Sequence, residues 1–188
     1  LLRAVEPRQG ESLLDVGCGT GWFTRRMARL PGVQVTGLDI NADWLAYARE
    51  CDAASNYIEG DALALPFADS CFDGVVSIAA LCFTADWRRA VGEVVRVSRG
   101  RFAIGMLNRR SLLWREKGRN GGSGAYRGAC WVTPEELRDS VAGLPVTDVR
   151  VSSAVFLPSG SLLARAVECL LPAHLAIGGL VVLSGRKR

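Results

Sequence analysis

The sequence predicts an α/β protein built on a doubly wound, mostly parallel sheet. Three observations predict it. Short apolar runs alternate with capped, amphipathic segments from Ser12 to Met106. The run Phe72 to Ile78 is apolar nearly throughout, as in a strand covered on both faces. The chain has 188 residues, 49% of them hydrophobic, enough for one continuous core.

Taken in order, Ser12–Val16 is a buried strand that ends in a glycine cluster. Thr20 is expected to cap a helix over 21–30 that stops before Pro31-Gly32. A second strand covers Val33–Asp39. Asn41 caps the next helix, through about Cys51, with Trp44, Leu45 and Ala48 at helical spacing. Asn56–Glu59 is a short third strand and Phe72–Ile78 a fourth. Asp86 opens a helix to about Val97, and Arg101–Met106 is the fifth strand. Residues 107–130 are polar, basic and rich in glycine, which reads as a long mobile loop. Thr133-Pro134-Glu135-Glu136 starts a helix with a cap, a proline and two acids in the first turn, expected to reach about Ala142 and stop at Gly143. Val146–Phe156 and Leu175–Ser184 form a terminal strand pair around a helix at 161–171. So short a crossover favours an antiparallel arrangement. A single domain over 1–188 follows, with right-handed crossovers that gather the strand carboxyl ends on one edge.

Composition excludes several classes. The apolar content rules out disorder, and 21 glycines without a period rule out a collagen-like chain. Six cysteines stand 11 to 48 residues apart with one histidine, so no zinc site of Cys/His type is expected, and no other metal. Reduced thiols in a cytoplasmic protein are the simpler reading. No signal peptide is evident, and the apolar stretch Leu170–Gly185, interrupted by Pro172 and His174, is too short to span a bilayer. His174 reads as a packed or surface residue rather than a base. The chain does not begin with Met, which leaves open what precedes Leu1.

The net charge of +4 hides a local bias. Residues 1–95 carry 8 basic and 13 acidic side chains, whereas residues 96–127 carry nine basic groups against Glu116 alone. Such a block attracts an anionic small molecule, a lipid headgroup or a nucleic acid, or is simply a solvated loop.

The informative segment is Leu13-Leu14-Asp15-Val16-Gly17-Cys18-Gly19-Thr20-Gly21. Glycines at alternate positions after a buried strand let a ligand lie against the main chain. A tight structural turn alone would also explain them. The dinucleotide fingerprint G-x-G-x-x-G would need its third glycine where Trp22 stands, and no Gly-Lys-Ser/Thr of a P-loop occurs. Asp39, at the end of the second strand, is placed to accept hydrogen bonds from both hydroxyls of a ribose. Asp61, after the third strand, is placed to meet the edge of an adenine. Three successive strand ends thus offer a place for an adenosine without phosphates.

On these residues the chain resembles the class I S-adenosylmethionine-dependent methyltransferases, and most closely the broad group related to the quinone-biosynthesis methyltransferases. The matching stretches are Leu13–Gly21, Gly37–Ile40, Gly60–Phe67 with Phe72-Asp73, and Glu93–Val97. The resemblance implies a Rossmann-like sheet of about seven strands with an antiparallel last strand, and S-adenosylmethionine as cofactor. It implies that Gly17, Cys18, Gly19, Thr20 and Gly21 line its methionine and ribose, and that Asp15 helps hold its amino group. Asp39 would bind the ribose hydroxyls, with Ile40 on adenine. Asp61, Ala62 and Leu63 would meet the adenine edge, and Ile78 and Ala79 the methionine chain. Two departures stand out: Ser98-Arg99-Gly100-Arg101 replaces the usual Pro-Gly-Gly turn, and only about eleven residues precede Ser12, where relatives carry lid helices. The lid is expected to be missing.

Methyl transfer from a sulfonium is an in-line displacement that chiefly needs donor and acceptor held in near-attack geometry. The expected acceptor is a small molecule, and the basic loop points to an anionic one. Its site is expected among the loops after strands four and five, at Phe83, Asn108, Arg109, Arg110 and Trp114, with Leu81, Cys82, Tyr126 and Trp131 nearby. No catalytic base is nominated, because Asp73 is better explained by the sheet. Two rival readings stay open here. The arginine block suits a nucleic-acid methyltransferase, although the fourth strand is not followed by Asn/Asp-Pro-Pro-Tyr/Phe/Trp. A non-catalytic cofactor-binding module is the other. The acceptor and the oligomeric state are left open.

Overall fold

The computed structural model describes residues 5–155, 175 and 177–188. Strands β1 (Ser12–Val16), β2 (Gln34–Asp39), β3 (Asn56–Glu59), β4 (Phe72–Ile78), β5 (Ser98–Leu107), β6 (Val146–Ala154) and β7 (Leu180–Lys187) form one sheet in the order β3-β2-β1-β4-β5-β7-β6. Neighbours from β3 through β5 are parallel, and β7 lies antiparallel to both β5 and β6. The order reverses beside β1, so the loops after β1 and β4 splay apart at their carboxyl ends. In an open α/β sheet that is where a ligand binds.

Helices cover both faces. On one, α1 (Trp22–Ala28) packs Met27 with Leu13, Val35, Val76 and Ala103. Beside it α2 (Ala42–Cys51) packs Leu45 and Ala48 on Tyr57. On the other, α3 (Trp87–Val97) buries Ala90, Val91, Val94 and Val95, and α4 (Pro134–Asp139) buries Leu137 against the larger core. Each buried Val contributes roughly 1.5–2 kcal/mol over leaving it exposed.

The local signals explain the helix starts. Asn41 Oδ1 accepts from Trp44 N–H (3.0 Å), Asp86 Oδ1 from Arg89 N–H (3.0 Å), and Thr133 with Glu136 closes a reciprocal capping box. The sequence reading of Thr20 as a cap is corrected. Gly21, at φ 76°, occupies that position without a side-chain cap, because the glycine turn ends one residue later than expected. Helix α1 is accordingly shorter than 21–30, and α4 stops at Asp139 rather than Ala142. Strand β5 begins at Ser98, directly on leaving α3, where Ser98 Oγ donates to Arg101 O (3.1 Å). The last strand begins at Leu180, not Leu175, and the expected helix at 161–171, Cys169 and His174 lie outside the described residues. The five described cysteines are unpaired, and of these only Cys82 is fully buried.

Asp73 serves the sheet, as its sequence context suggested. Its Oδ2 accepts from Ser12 N–H and Oγ–H (both 2.9 Å), and Arg99 pairs with its other oxygen (2.9 Å). Those donors hold its carboxyl below the usual range, Ser12 N–H foremost. Buried Arg101 pairs with Glu11 and donates to Glu6 O (2.9 Å), tying the segment before β1 to the sheet. Among the described residues no helix is long and apolar enough to cross a membrane.

Candidate active site

After β1 the backbone enters the left-handed region at Gly17 (φ 74°), Gly19 (54°) and Gly21 (76°). Two of these have no room for a side chain. A Cβ on Gly17 would stand 2.2 Å from Ala80 Cβ, and one on Gly21 2.6 Å from Tyr57 Oη. Over Gly19 the nearest atom is a Trp44 ring carbon at 3.8 Å, so the loop presents bare main chain to open space there. The amides of Gly17 and Cys18 both donate to Leu38 O (2.7 and 2.9 Å), which draws the loop to the end of β2.

Asp39 sits at that end, almost wholly buried. Its Oδ2 accepts from Gly19 N–H (2.7 Å) and its Oδ1 from Asn41 N–H (2.9 Å). One carboxylate thereby fixes both the glycine loop and the start of α2. Asp15, at the end of β1, lies beneath the loop and accepts from Thr24 Oγ1 (2.7 Å). Burial pushes its carboxyl up to about 6; the Thr24 hydrogen bond opposes this, and the Asp39 charge adds to it. Burial, with the charges of Asp15 and Asp39, pushes the Cys18 thiol up to about 12.

A cavity of about 460 Å³ opens at the carboxyl ends of the strands. It brings together Gly17, Asp39, Ile40, Asp61, Ala62, Leu63, Ile78, Ala79 and Phe83 of the residues singled out from sequence. Cys18, Gly19 and Gly21 form the turn beside it, Asp15 lies below, and Thr20 points its exposed residue outward, its carbonyl accepting from Arg25 (2.7 Å). Leu81, expected beside the acceptor site, also lines the cavity, whereas sequence reasoning missed Leu38, Trp44, Gly60, Ala80, Thr84 and Ala85. Trp44 was expected at helical spacing with core residues, yet it is half exposed at the cavity rim with Ile40 and Phe83. The 3₁₀ turn Leu81–Phe83, which shapes the wall after β4, follows Ala79, whose φ of 53° is unusual for a residue with a side chain.

Comparison with known proteins bears on the family and the fold. A family profile described as "Methyltransferase domain" matches residues 14–104. The chain is 42% identical over 121 residues to a malonyl-(acyl-carrier protein) O-methyltransferase of Pectobacterium atrosepticum, covering 61% of this chain and 47% of that one. With the Erwinia pyrifoliae protein of the same name it shares 32% identity over 187 residues, 96% of this chain and 65% of that one. The chain thus spans about half to two thirds of the length of these relatives. A crystal structure from Thermotoga maritima, described as an S-adenosylmethionine-dependent methyltransferase and possible histamine N-methyltransferase, superposes with a TM-score of 0.75. It has 26% identity and covers 100% of this chain and 87% of that one. The chain belongs to the class I S-adenosylmethionine-dependent methyltransferases.

The Glu93–Val97 match has a physical reason in this chain. Arg96 pairs with Glu93 (2.6 Å) and Asp69 (2.8 Å) and donates to the carbonyls of Phe67 (2.8 Å) and Leu65 (3.0 Å). Glu93 Oε2 in turn accepts from Leu65 N–H (2.7 Å). The pair staples the segment after β3 to α3, and so holds the cavity wall at Asp61–Leu63. Asp61 itself is exposed and turns the chain by accepting from Leu63 N–H (2.8 Å).

The remaining acceptor-site expectations are distributed differently in the structure. Asn108, Arg109, Arg110 and Trp114 do not line the cavity. Asn108 is wholly buried and bridges Gly178 O (2.8 Å) and Arg110 N–H (3.0 Å). Arg109 pairs with Glu136 (2.6 Å) and Arg110 with Glu135 (2.9 Å), both on α4. Trp114 lies under Arg119 and against Gly118, while Trp131 and Tyr126 pack 5.7 Å apart on the core. The segment expected as a mobile loop is built from three short helical turns.

Proposed function

We propose that this chain binds S-adenosylmethionine in the 460 Å³ cavity and catalyses methyl transfer to an oxygen of a small or carrier-borne acyl acceptor. The observation that carries the reading is Asp39: a carboxylate fixed by two backbone amides at the end of β2, beside main chain that has no Cβ. That pairing suits a sugar with two neighbouring hydroxyls and offers nothing to a pyrophosphate. The fit is also one of size, since sites for small organic ligands occupy roughly 300–1,000 Å³. The oxygen acceptor follows the names of the relatives, and their names do not favour the nucleic-acid alternative.

When bound, S-adenosylmethionine supplies a methyl group on a positively charged sulfur, which leaves as a neutral thioether. The chain's own residues bind, orient and exclude. Asp39 accepts the ribose hydroxyls, and Asp61 with Ala62 meets the adenine edge, flanked by Ile40 and Leu63. Asp15 stands near the amino group of the methionine part, where a positive neighbour draws its carboxyl back toward the ionised form. Ile78, Ala79 and Ala80 form the wall along the methionine chain. Trp44 and Phe83 at the rim cover apolar surface of the acceptor and keep water from the transfer path. Placement of this kind, rather than proton transfer, carries most of the acceleration in such a displacement. Calorimetric titration with the demethylated product S-adenosylhomocysteine tests the reading. Saturable 1:1 binding that Asp39→Ala weakens is expected, and an absence of heat or competition by NADH would refute it.

A further inference from the structure

Between Arg109 and Arg127 the chain carries six basic side chains and one acid, Glu116. Arg109 and Arg110 are spent on α4. Arg115, Lys117, Arg119 and Arg127 are exposed, and none of them makes an ion pair among the described residues. They project from a built surface: Ser123 N–H donates to Lys117 O and Gly128 N–H to Gly121 O (both 2.9 Å), and Gly118 fits against the rings of Trp114 and Trp131. The aromatic rings of this segment therefore turn inward, while Leu112, three residues before Arg115, is half exposed.

This surface adjoins the cavity. Cys130 N–H, at the end of the segment, donates to Cys82 O (2.7 Å) in the 3₁₀ turn whose Leu81 and Phe83 form the cavity wall. A single-stranded nucleic acid would need exposed rings on which to stack its bases, and here they are packed away. An acidic protein surface complements exposed cations that make no ion pair among the described residues. Building on the function proposed above, we propose that the exposed basic surface of Arg115–Arg127 docks a small acidic carrier protein, which delivers a thioester-linked acyl acceptor into the adjoining cavity.

The probe is a bacterial malonyl-loaded acyl carrier protein, titrated by fluorescence anisotropy against the full chain and against the triple variant Arg115→Glu/Lys117→Glu/Arg127→Glu. Charge reversal is expected to weaken carrier binding roughly tenfold or more, and added salt to weaken the wild-type complex in the same direction. Binding of S-adenosylhomocysteine and turnover of malonyl-pantetheine, which lacks the carrier, should be unchanged in the variant. The docking proposal is overturned if the carrier binds both proteins equally or neither. It is equally overturned if a mixed-sequence RNA displaces the carrier from the wild type. Failure of S-adenosylhomocysteine to bind the wild type would instead sink the methyltransferase reading, with the carrier titration still scored on its own.

Discussion

Gly17→Ala separates two costs that the structure assigns to one position. The new Cβ would lie 2.2 Å from Ala80 Cβ, well inside contact distance, on a backbone held at φ 74°. A left-handed alanine costs about 1–2 kcal/mol. Relieving the overlap by shifting the loop or the Ala79–Ala80 turn costs about 1–3 kcal/mol more. The sum, about 2–5 kcal/mol, should lower the melting temperature by roughly 5–15 °C in a domain of this size. Ala80→Gly removes the obstructing methyl and leaves the backbone angle untouched. In a double-mutant cycle followed by urea unfolding, the pair should therefore show a favourable coupling of about 1–3 kcal/mol, with the conformational part of the loss remaining. A coupling near zero would show that the two loops are not in contact as described. Full recovery in the double variant would show that the left-handed backbone costs nothing there. Because the same shift moves the cavity wall, affinity for S-adenosylhomocysteine should fall in Gly17→Ala and return in part in the double variant.

Other consequences are open to measurement. Asp39→Ala removes a charged acceptor of hydrogen bonds, each worth about 1.5–3 kcal/mol, so calorimetry should show nucleoside affinity reduced about 10- to 150-fold. Asp15 is raised from an ordinary 3.8 to about 6, so the folded state holds a proton that the unfolded state has lost between those values. Stability should then fall as pH rises from about 4 to about 6, by on the order of 3 kcal/mol, and Asp15→Asn should flatten that slope in urea titrations. Glu93 is held below its usual value, chiefly by Arg96, so its contribution is present above about pH 4.5 and disappears on further acidification. Glu93→Gln should be less stable than wild type at pH 7 and converge with it in acid. Trp44→Ala should leave the unfolding midpoint nearly unchanged, because the ring is half exposed, yet weaken nucleoside binding.

How much of this was legible depended on whether the signal was local. The bounds of β3 and β4 and the caps at Asn41, Asp86 and Thr133 follow from neighbours in sequence, and they agree with the structure. The cavity residues at three strand ends were legible because parallel strands place their carboxyl ends on one edge whatever their order. Trp44 was not, since helical spacing does not tell a core face from a rim when the helix begins at the mouth of a cavity. Nor could charge composition show that Arg109 and Arg110 face α4. Their partners Glu136 and Glu135 stand 25 to 27 residues away and arrive only through the parallel bridge of Asn108 with Val132. The antiparallel end of the sheet was expected from the short crossover and the family resemblance, but nothing in the spacing of Val146–Lys187 says that the later strand inserts inside the earlier one.

That insertion constrains how the chain is made. Among the described residues β6 pairs only with β7, and β7 is also the neighbour that closes the apolar edge of β5 at Phe102, Ala103 and Ile104. A nascent chain that has emerged as far as β6 therefore carries a half-finished sheet with an open, sticky border and a strand that has nothing to join. Synthesis must run past residue 180 before either is satisfied, which leaves a window in which chaperones and aggregation compete for the same edge.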